Sequence, residues 1–269
     1  MESESIKGRV VMNIFAQMVR SLYSPADIAK FRFQGIGKTI LYVFLLTLIS
    51  VIPAAYFTSA GIIDAVAAAE DTIERKLPPF TIDNSELKSD IKEPRTIKNG
   101  DITIIFDPTG TIDEKDMAGM ESTVAMLKNE FVMAAGGQVN SIPYTLLGDG
   151  KMTKNDVSNL VSDAASSLPI VIGIMVIAIY LFAAGAKFIE ISILALFGLL
   201  LKNLAGKNLQ YRHLWRMGAY SVTLATLFFT IMALLKTAVP YSFIINWFVS
   251  SMFLLLAIKE VPSPKTKAK

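Results

Sequence analysis

Lys187 and Glu190 are the only charged residues inside the apolar segment Leu168–Leu201, and they stand three positions apart. Ionisable groups within a membrane span are costly, and by default they are candidates for ion pathways, proton relays or signalling. On a helix the same spacing puts both side chains on one face, where they can neutralise each other. A functional pair and a structural pair are therefore both open readings.

The other residues capable of chemistry point mostly to structure. His213 is the sole histidine, which excludes a histidine-based metal cluster. It sits in Tyr211-Arg212-His213-Leu214-Trp215-Arg216. There the arginines suit anionic headgroups, and Tyr211 and Trp215 suit an interfacial anchor. The same residues can also serve simply to orient a helix. Asp107, Asp113 and Asp116 are close in sequence, but their spacing departs from the calcium-loop pattern, and turn and cap roles account for them. Gly136-Gly137 and Gly148-Asp149-Gly150 fit turns, and neither is followed by the G-K-[ST] of a phosphate loop. The chain has no cysteine, which excludes disulfides and thiolate chemistry. No nucleophile has a recognisable base beside it. An enzyme is the least favoured class, and no catalytic residue, metal or cofactor is expected.

The composition indicates what must position these groups. With 52 % hydrophobic and 18 % charged residues, the chain suits a membrane protein. Apolar runs occur at Lys38–Ile63, Leu168–Leu201, Met217–Leu235 and Ser242–Ile258, and the stretches around them differ in charge. Residues 1–38 carry six Lys/Arg against three acids, the Leu201–Arg216 loop four against none, and the tail from Lys259 four against one. Asp64–Ser167 carries ten basic and eighteen acidic residues. Cytoplasmic flanks are enriched in Lys and Arg, so the N-terminus, the 201–216 loop and the tail are expected in the cytoplasm, with 64–167 outside. The acidic balance and scattered cations of 64–167 argue against nucleic acid as a partner; the lipid bilayer is the expected one.

Five regions follow. Residues 1–38 form an amphipathic cytoplasmic region, in which Val11, Ile14, Phe15, Met18, Val19 and Leu22 recur at helical spacing beside Arg9 and Arg20. Such a helix lies on the inner membrane surface or packs against the rest of the protein. Residues 39–63 form a first span, retained rather than cleaved, in which Pro53 is a candidate kink. Residues 64–167 form an extracytoplasmic α+β domain. Its expected strands are Phe80–Ile82, Asp101–Asp107 and Val139–Leu147, with a Thr123–Leu127/Phe131–Ala134 hairpin. Asp113 is expected to cap a helix, and Thr153 or Asn155 another. Residues 168–258 form a C-terminal membrane bundle, and 259–269 a basic cytoplasmic tail.

The 34 residues Leu168–Leu201 exceed the roughly 20 that cross the hydrocarbon, yet are few for two crossings. A break at Gly185-Ala186-Lys187 is expected. The expected fold is an α-helical integral membrane bundle with the inserted domain. It has either four crossings plus a short re-entrant or interfacial helix, or five spans; charge favours four.

Ser21-Leu22-Tyr23-Ser24-Pro25, Ala29-Lys30-Phe31-Arg32 and Gly37-Lys38-Thr39, with Gly100–Asp107 and Tyr211–Tyr220, carry a resemblance over most of the chain. The chain resembles DUF1189, a family of bacterial multi-pass membrane proteins, some of them labelled maltodextrin-utilisation proteins. That family is in turn similar, in its membrane part, to Yip1-type five-helix proteins. The resemblance implies five helices and supplies no catalytic residues. The favoured function is a non-enzymatic membrane accessory or scaffold whose outer domain binds a protein or cell-envelope partner. An auxiliary component or sensor of carbohydrate uptake and a small transporter are the alternatives.

Overall fold

The computed structural model of the protein describes residues 12–100, 102–148 and 150–262. Arg9, Val11, Asp101, Asp149 and most of the expected basic tail lie outside the described residues. The chain forms two compact units, one from the residues up to Thr58 together with those from Gly173 onward, the other Ser59–Ile172.

The first unit is helical. Asn13 caps α1 (Ile14–Ser21), its side chain accepting from the Ala16 amide at 2.6 Å. Ser24 caps α2 (Pro25–Phe31), with Pro25 in the first turn, where its missing N–H is no loss. On α1, Gln17, Met18 and Ser21 are buried, whereas Phe15 and Val19 are exposed; one face packs inward and the other is left apolar. α3 (Ile36–Asp71) extends past the expected first span at both ends and is helical straight through the buried Pro53. Its continuation, Thr72–Lys76, widens into a π-helical turn before Leu77-Pro78-Pro79 ends it.

Leu168–Leu201 makes neither two spans nor a span with a re-entrant piece. It lies within one unbroken helix, α4 (Lys154–Leu204), of 51 residues. At 1.5 Å per residue that helix is about 77 Å long, over twice the hydrocarbon thickness, so its surplus prolongs the helix instead of folding back. Gly185 does not break it, because one glycine costs only about 1 kcal/mol. A broken helix in hydrocarbon would leave backbone groups unsatisfied at several kcal/mol each. α5 (Tyr211–Ser221) and α6 (Thr223–Leu234), separated only at Val222, make the next span, which starts at Tyr211 rather than at the expected Met217. α7 (Ser242–Lys259) is the last. The described residues thus hold four membrane-spanning helices, and the five-span alternative falls with the missing break.

Phe31, Tyr42, Leu46, Ile191, Leu194, Leu214, Met217, Tyr220 and Leu254 form the buried core of this unit. Gly198 lets α4 close on its neighbours, since a β-carbon there would lie 3.1 Å from Leu254 and 3.4 Å from Leu214.

The second unit contains two sheets. In the smaller, β1 (Phe80–Asp83) lies between β2 (Glu86–Ser89) and the two-residue β8 (Met152–Thr153). The larger has the order β3 (Arg95–Asn99), β4 (Ile102–Phe106), β5 (Thr123–Met126), β6 (Glu130–Ala135), β7 (Gln138–Pro143). Gly136 and Gly137 both adopt positive φ, 58° and 78°, as a tight two-residue hairpin requires. β4 and β5 run parallel, so the chain must cross over between them, through residues 107–122. That crossover covers one face of the sheet. Met117, Ile112 and Met120 pack there on Ile105, Ala125, Val132 and Ala134. The opposite face, with Phe106 and Met126, packs on Phe80, Ile82 and Leu87 of the small sheet and on Ile73, Leu77, Val157 and Val161.

The expected strands around residues 80, 102 and 139 and the 123–135 hairpin are present. β2, β3 and β8 are additional to the sequence reading. Pro143 ends β7, and Tyr144–Leu147 forms a 3-10 turn rather than further strand.

Candidate functional site

The only two charges of the long apolar segment do meet. Lys187 Nζ donates to Glu190 Oε2 at 2.8 Å, and the two side chains are only 15 % and 16 % exposed. Each also finds an uncharged partner that the sequence does not flag. Lys187 Nζ donates to Thr226 Oγ1 at 3.1 Å, and Asn246 Nδ2 donates to the second carboxylate oxygen of Glu190 at 2.7 Å. The network therefore joins α4, α6 and α7. Thr226 lies eight residues from the end of α6 and Asn246 four from the start of α7, which sets the network about 6–12 Å below those helix ends.

Helix geometry explains the meeting. α4 and α7 run parallel, and α5–α6 antiparallel to both. Glu190–Asn246 and Gly198–Leu254 share one offset of 56 residues. Thr226 and Thr230 each also donate to the carbonyl four residues back, at 2.8 and 2.7 Å, so Thr226 both donates and accepts. Ser250, one turn beyond Asn246, keeps a buried hydroxyl without a partner among the described residues.

A second polar group crosses the same core. Tyr42 Oη and Thr223 Oγ1 are 2.5 Å apart, and Tyr220 Oη donates to Gln17 Oε1 at 3.0 Å. The Tyr42 and Phe31 rings lie 4.3 and 4.6 Å from that of Tyr220. Polar tips thus pair while the rings fill the core.

Residues 15–258, which take in both groups, match the family described as "Protein of unknown function (DUF1189)". The chain belongs to the DUF1189 family. No curated protein and no solved structure matches it.

The remaining candidates of this DUF1189 chain take separate places. Pro53 sits buried within α3, which continues through it. Trp215 is not a free anchor: its ring stacks with Phe188 at 6.3 Å, and its N–H donates to Ser192 at 3.2 Å. Tyr211 and Arg212 are exposed at the start of α5. Arg216 reaches across to donate to the Arg32 carbonyl at 3.0 Å, and the His213 ring lies edge-on to Phe33 at 6.1 Å. Arg32 and Phe33 escape a sequence reading because only the fold brings them to α5.

In the second unit, Asp107 is fully buried. Its carboxylate accepts from the Ile112 amide at 2.7 Å and from the Thr109 hydroxyl and amide at 2.6 and 2.9 Å. Burial pushes this carboxyl up, but these bonds outweigh it and hold Asp107 below the usual carboxylate value. Asp113 and Asp116 form a reciprocal cap on the 3-10 turn Glu114–Met117. Thr153 Oγ1 accepts from the Asp156 amide at 3.3 Å while Asp156 accepts from the Thr153 amide at 2.8 Å, capping α4. Among the described residues no three His, Asp or Glu side chains converge in a way that could hold a metal. An open cleft of ≈ 590 Å³ is lined by Glu74, Pro79, Phe80, Thr153 and Lys154. The Lys154 ammonium is committed there to the Leu77 and Glu74 carbonyls, at 2.7 and 3.2 Å.

Proposed function

We propose that this protein is a non-enzymatic membrane accessory or scaffold whose 64–167 domain binds a protein or cell-envelope partner outside the cytoplasm. The observation that carries this reading is the β7 edge of the larger sheet, one of its two edges. β7 pairs with β6 alone among the described residues, so its outer ladder is available to an added strand. Beside that edge Ile142 and Met133 are 48 % and 46 % exposed, and the β6–β7 register puts them on one face. Four crossings support the orientation, because an even number returns both ends of the chain to the side that the basic flanks favour. The test is photocrosslinking from position 142 in native membranes. A specific partner, lost on Met133→Lys with the crosslinker kept at 142, supports the reading; recovery of monomer or self-oligomer alone sinks it.

A small transporter is the second reading, favoured by the unpartnered Ser250 hydroxyl beside the charge pair. The closed hydrogen bonding of that pair supports a helix clasp more than a pathway. Solute or ion flux into proteoliposomes that disappears in Glu190→Gln would reverse this preference. An auxiliary role in carbohydrate uptake rests only on the label borne by some family members.

A further inference from the structure

Three arginines gather where α3 and α5 begin, and none makes an ion pair among the described residues. Arg32 follows α2, and its guanidinium lies 4.2 Å over the ring of Phe33. Phe33 in turn contacts His213, and Arg216 holds the Arg32 carbonyl. Arg212 and Arg216 are four residues apart on α5, and the charges of Arg212, Arg216 and Arg32 all act on His213. The first turn of α5 has no acidic residue, so the partial positive charge of its N-terminus adds to theirs. The Nε of Arg216 is buried without a partner among the described residues.

Neighbouring cations are treated differently. Arg20 and Lys30 both reach Asp27, at 3.7 and 2.8 Å, so this part of the chain does place a carboxylate where charge is to be balanced internally. For Arg32 and Arg216 it offers only carbonyl oxygens, those of Ala29 and Arg32. These bonds orient the guanidiniums and leave their charge unneutralised. Phe33, Ile36 and Tyr211 are exposed, by 60, 50 and 40 %, and supply an apolar rim at the ends of two spanning helices.

We infer that Arg32, Arg212 and Arg216, with His213 and the N-terminus of α5, form a binding site for the phosphate of an anionic phospholipid whose acyl chains lie along Phe33 and Ile36. Guanidinium forks match phosphate oxygens, and a phosphate at this level offsets the mutual repulsion of the three arginines. The apolar rim selects a lipid over a soluble phosphate.

The test uses the full-length protein in a neutral detergent, titrated with phosphatidylglycerol or phosphatidylcholine and followed by native mass spectrometry. Phosphatidylglycerol should be retained preferentially, and Arg32→Gln with Arg212→Gln should weaken its retention at least about fivefold. Arg20→Gln with Lys259→Gln removes two exposed charges elsewhere in the helical unit and should change it less than about twofold. Equal retention of the two lipids by the wild type overturns the site, and that comparison needs no variant to fold. Equal losses in the two double variants overturn it in favour of diffuse surface charge. Displacement of phosphatidylglycerol by millimolar inorganic phosphate assigns the pocket to free phosphate and overturns the lipid.

Discussion

The Glu190 carboxylate and the Asn246 amide, 56 residues apart in sequence, meet at 2.7 Å. That bond pins α4 to α7 in the register that also brings Gly198 against Leu254. Because Glu190 also carries Lys187, removing the carboxylate leaves a largely buried ammonium with only the Thr226 hydroxyl and no counter-charge, and strands the Asn246 amide. Glu190→Ala should therefore destabilise the protein by about 3–5 kcal/mol, whereas the paired replacement Lys187→Met with Glu190→Leu should cost far less. Thermal unfolding of both variants in one detergent measures the difference. Equal losses would assign the cost to the Asn246 amide, which both variants strand, and not to an unpaired ammonium.

Tyr220 and Tyr42 allow a finer comparison. Tyr42→Phe leaves Thr223 still donating to the Tyr220 carbonyl at 2.7 Å, so its cost should be about 0.6 kcal/mol, the average for hydrogen bonds between membrane helices. Tyr220→Phe strands a Gln17 oxygen in a core where Gln17 is fully buried, and should cost about 1–3 kcal/mol. The ordering of the two thermal midpoints is the prediction.

Asp107 should make the crossover between β4 and β5 sensitive to acid. Its hydrogen bonds hold its folded-state pKa below the ordinary 3.8, the value it regains on unfolding. The carboxylate thus stabilises the fold above that value, and the stabilisation is lost as pH falls from about 3.8 through the lower folded-state pKa. Limited proteolysis of residues 107–122 in the full-length protein should accelerate in that window. Asp107→Asn should be cleaved faster near neutrality, having lost about 1–3 kcal/mol, and should show less of the acid-dependent change.

These groups differ in how visible they are in the sequence. Lys187 and Glu190 stand out because charge inside an apolar run is rare, but Thr226 and Asn246 do not, because neutral polar residues are ordinary there. Their role depends on helix register, which no local pattern states. Likewise Asp113 and Thr153 are legible as caps from neighbouring residues, whereas the parallel pairing of β4 with β5 depends on contacts across a sixteen-residue crossover. β8 escapes because two residues carry no periodicity. α4 escapes for another reason: bilayer thickness sets the length of a membrane span, but a helix is free to continue beyond it.

The absence of cysteine makes topology directly testable with single introduced thiols. Four crossings put Ala205 and Gly150 on opposite sides of the membrane, and the proposed orientation has Ala205 on the cytoplasmic side. In intact cells Gly150→Cys should react with a membrane-impermeant maleimide, and Ala205→Cys should react only after permeabilisation. The reverse pattern would invert the proposed orientation, and labelling at both positions would contradict the four-span arrangement.

Gly198 tests the closeness of the bundle. A β-carbon there would stand 3.1 Å from Leu254 Cδ2 and 3.4 Å from Leu214 Cδ2, but 3.5 Å from Leu214 Cβ. The two nearest atoms are ends of flexible leucines, which can shift by a few tenths of an ångström. Gly198→Ala should therefore be nearly neutral, its tighter packing set against a gain in helix propensity. Gly198→Val adds two methyls that must displace the less mobile Leu214 Cβ as well, and should cost about 1–3 kcal/mol. Because α4 and α7 share one register, that displacement should also lengthen the Glu190–Asn246 bond two turns away. Pairing Gly198→Val with Leu254→Ala should recover part of the loss, measured as thermal midpoints in a double-mutant cycle. Simple additivity of the two would show that Gly198 and Leu254 are not in contact.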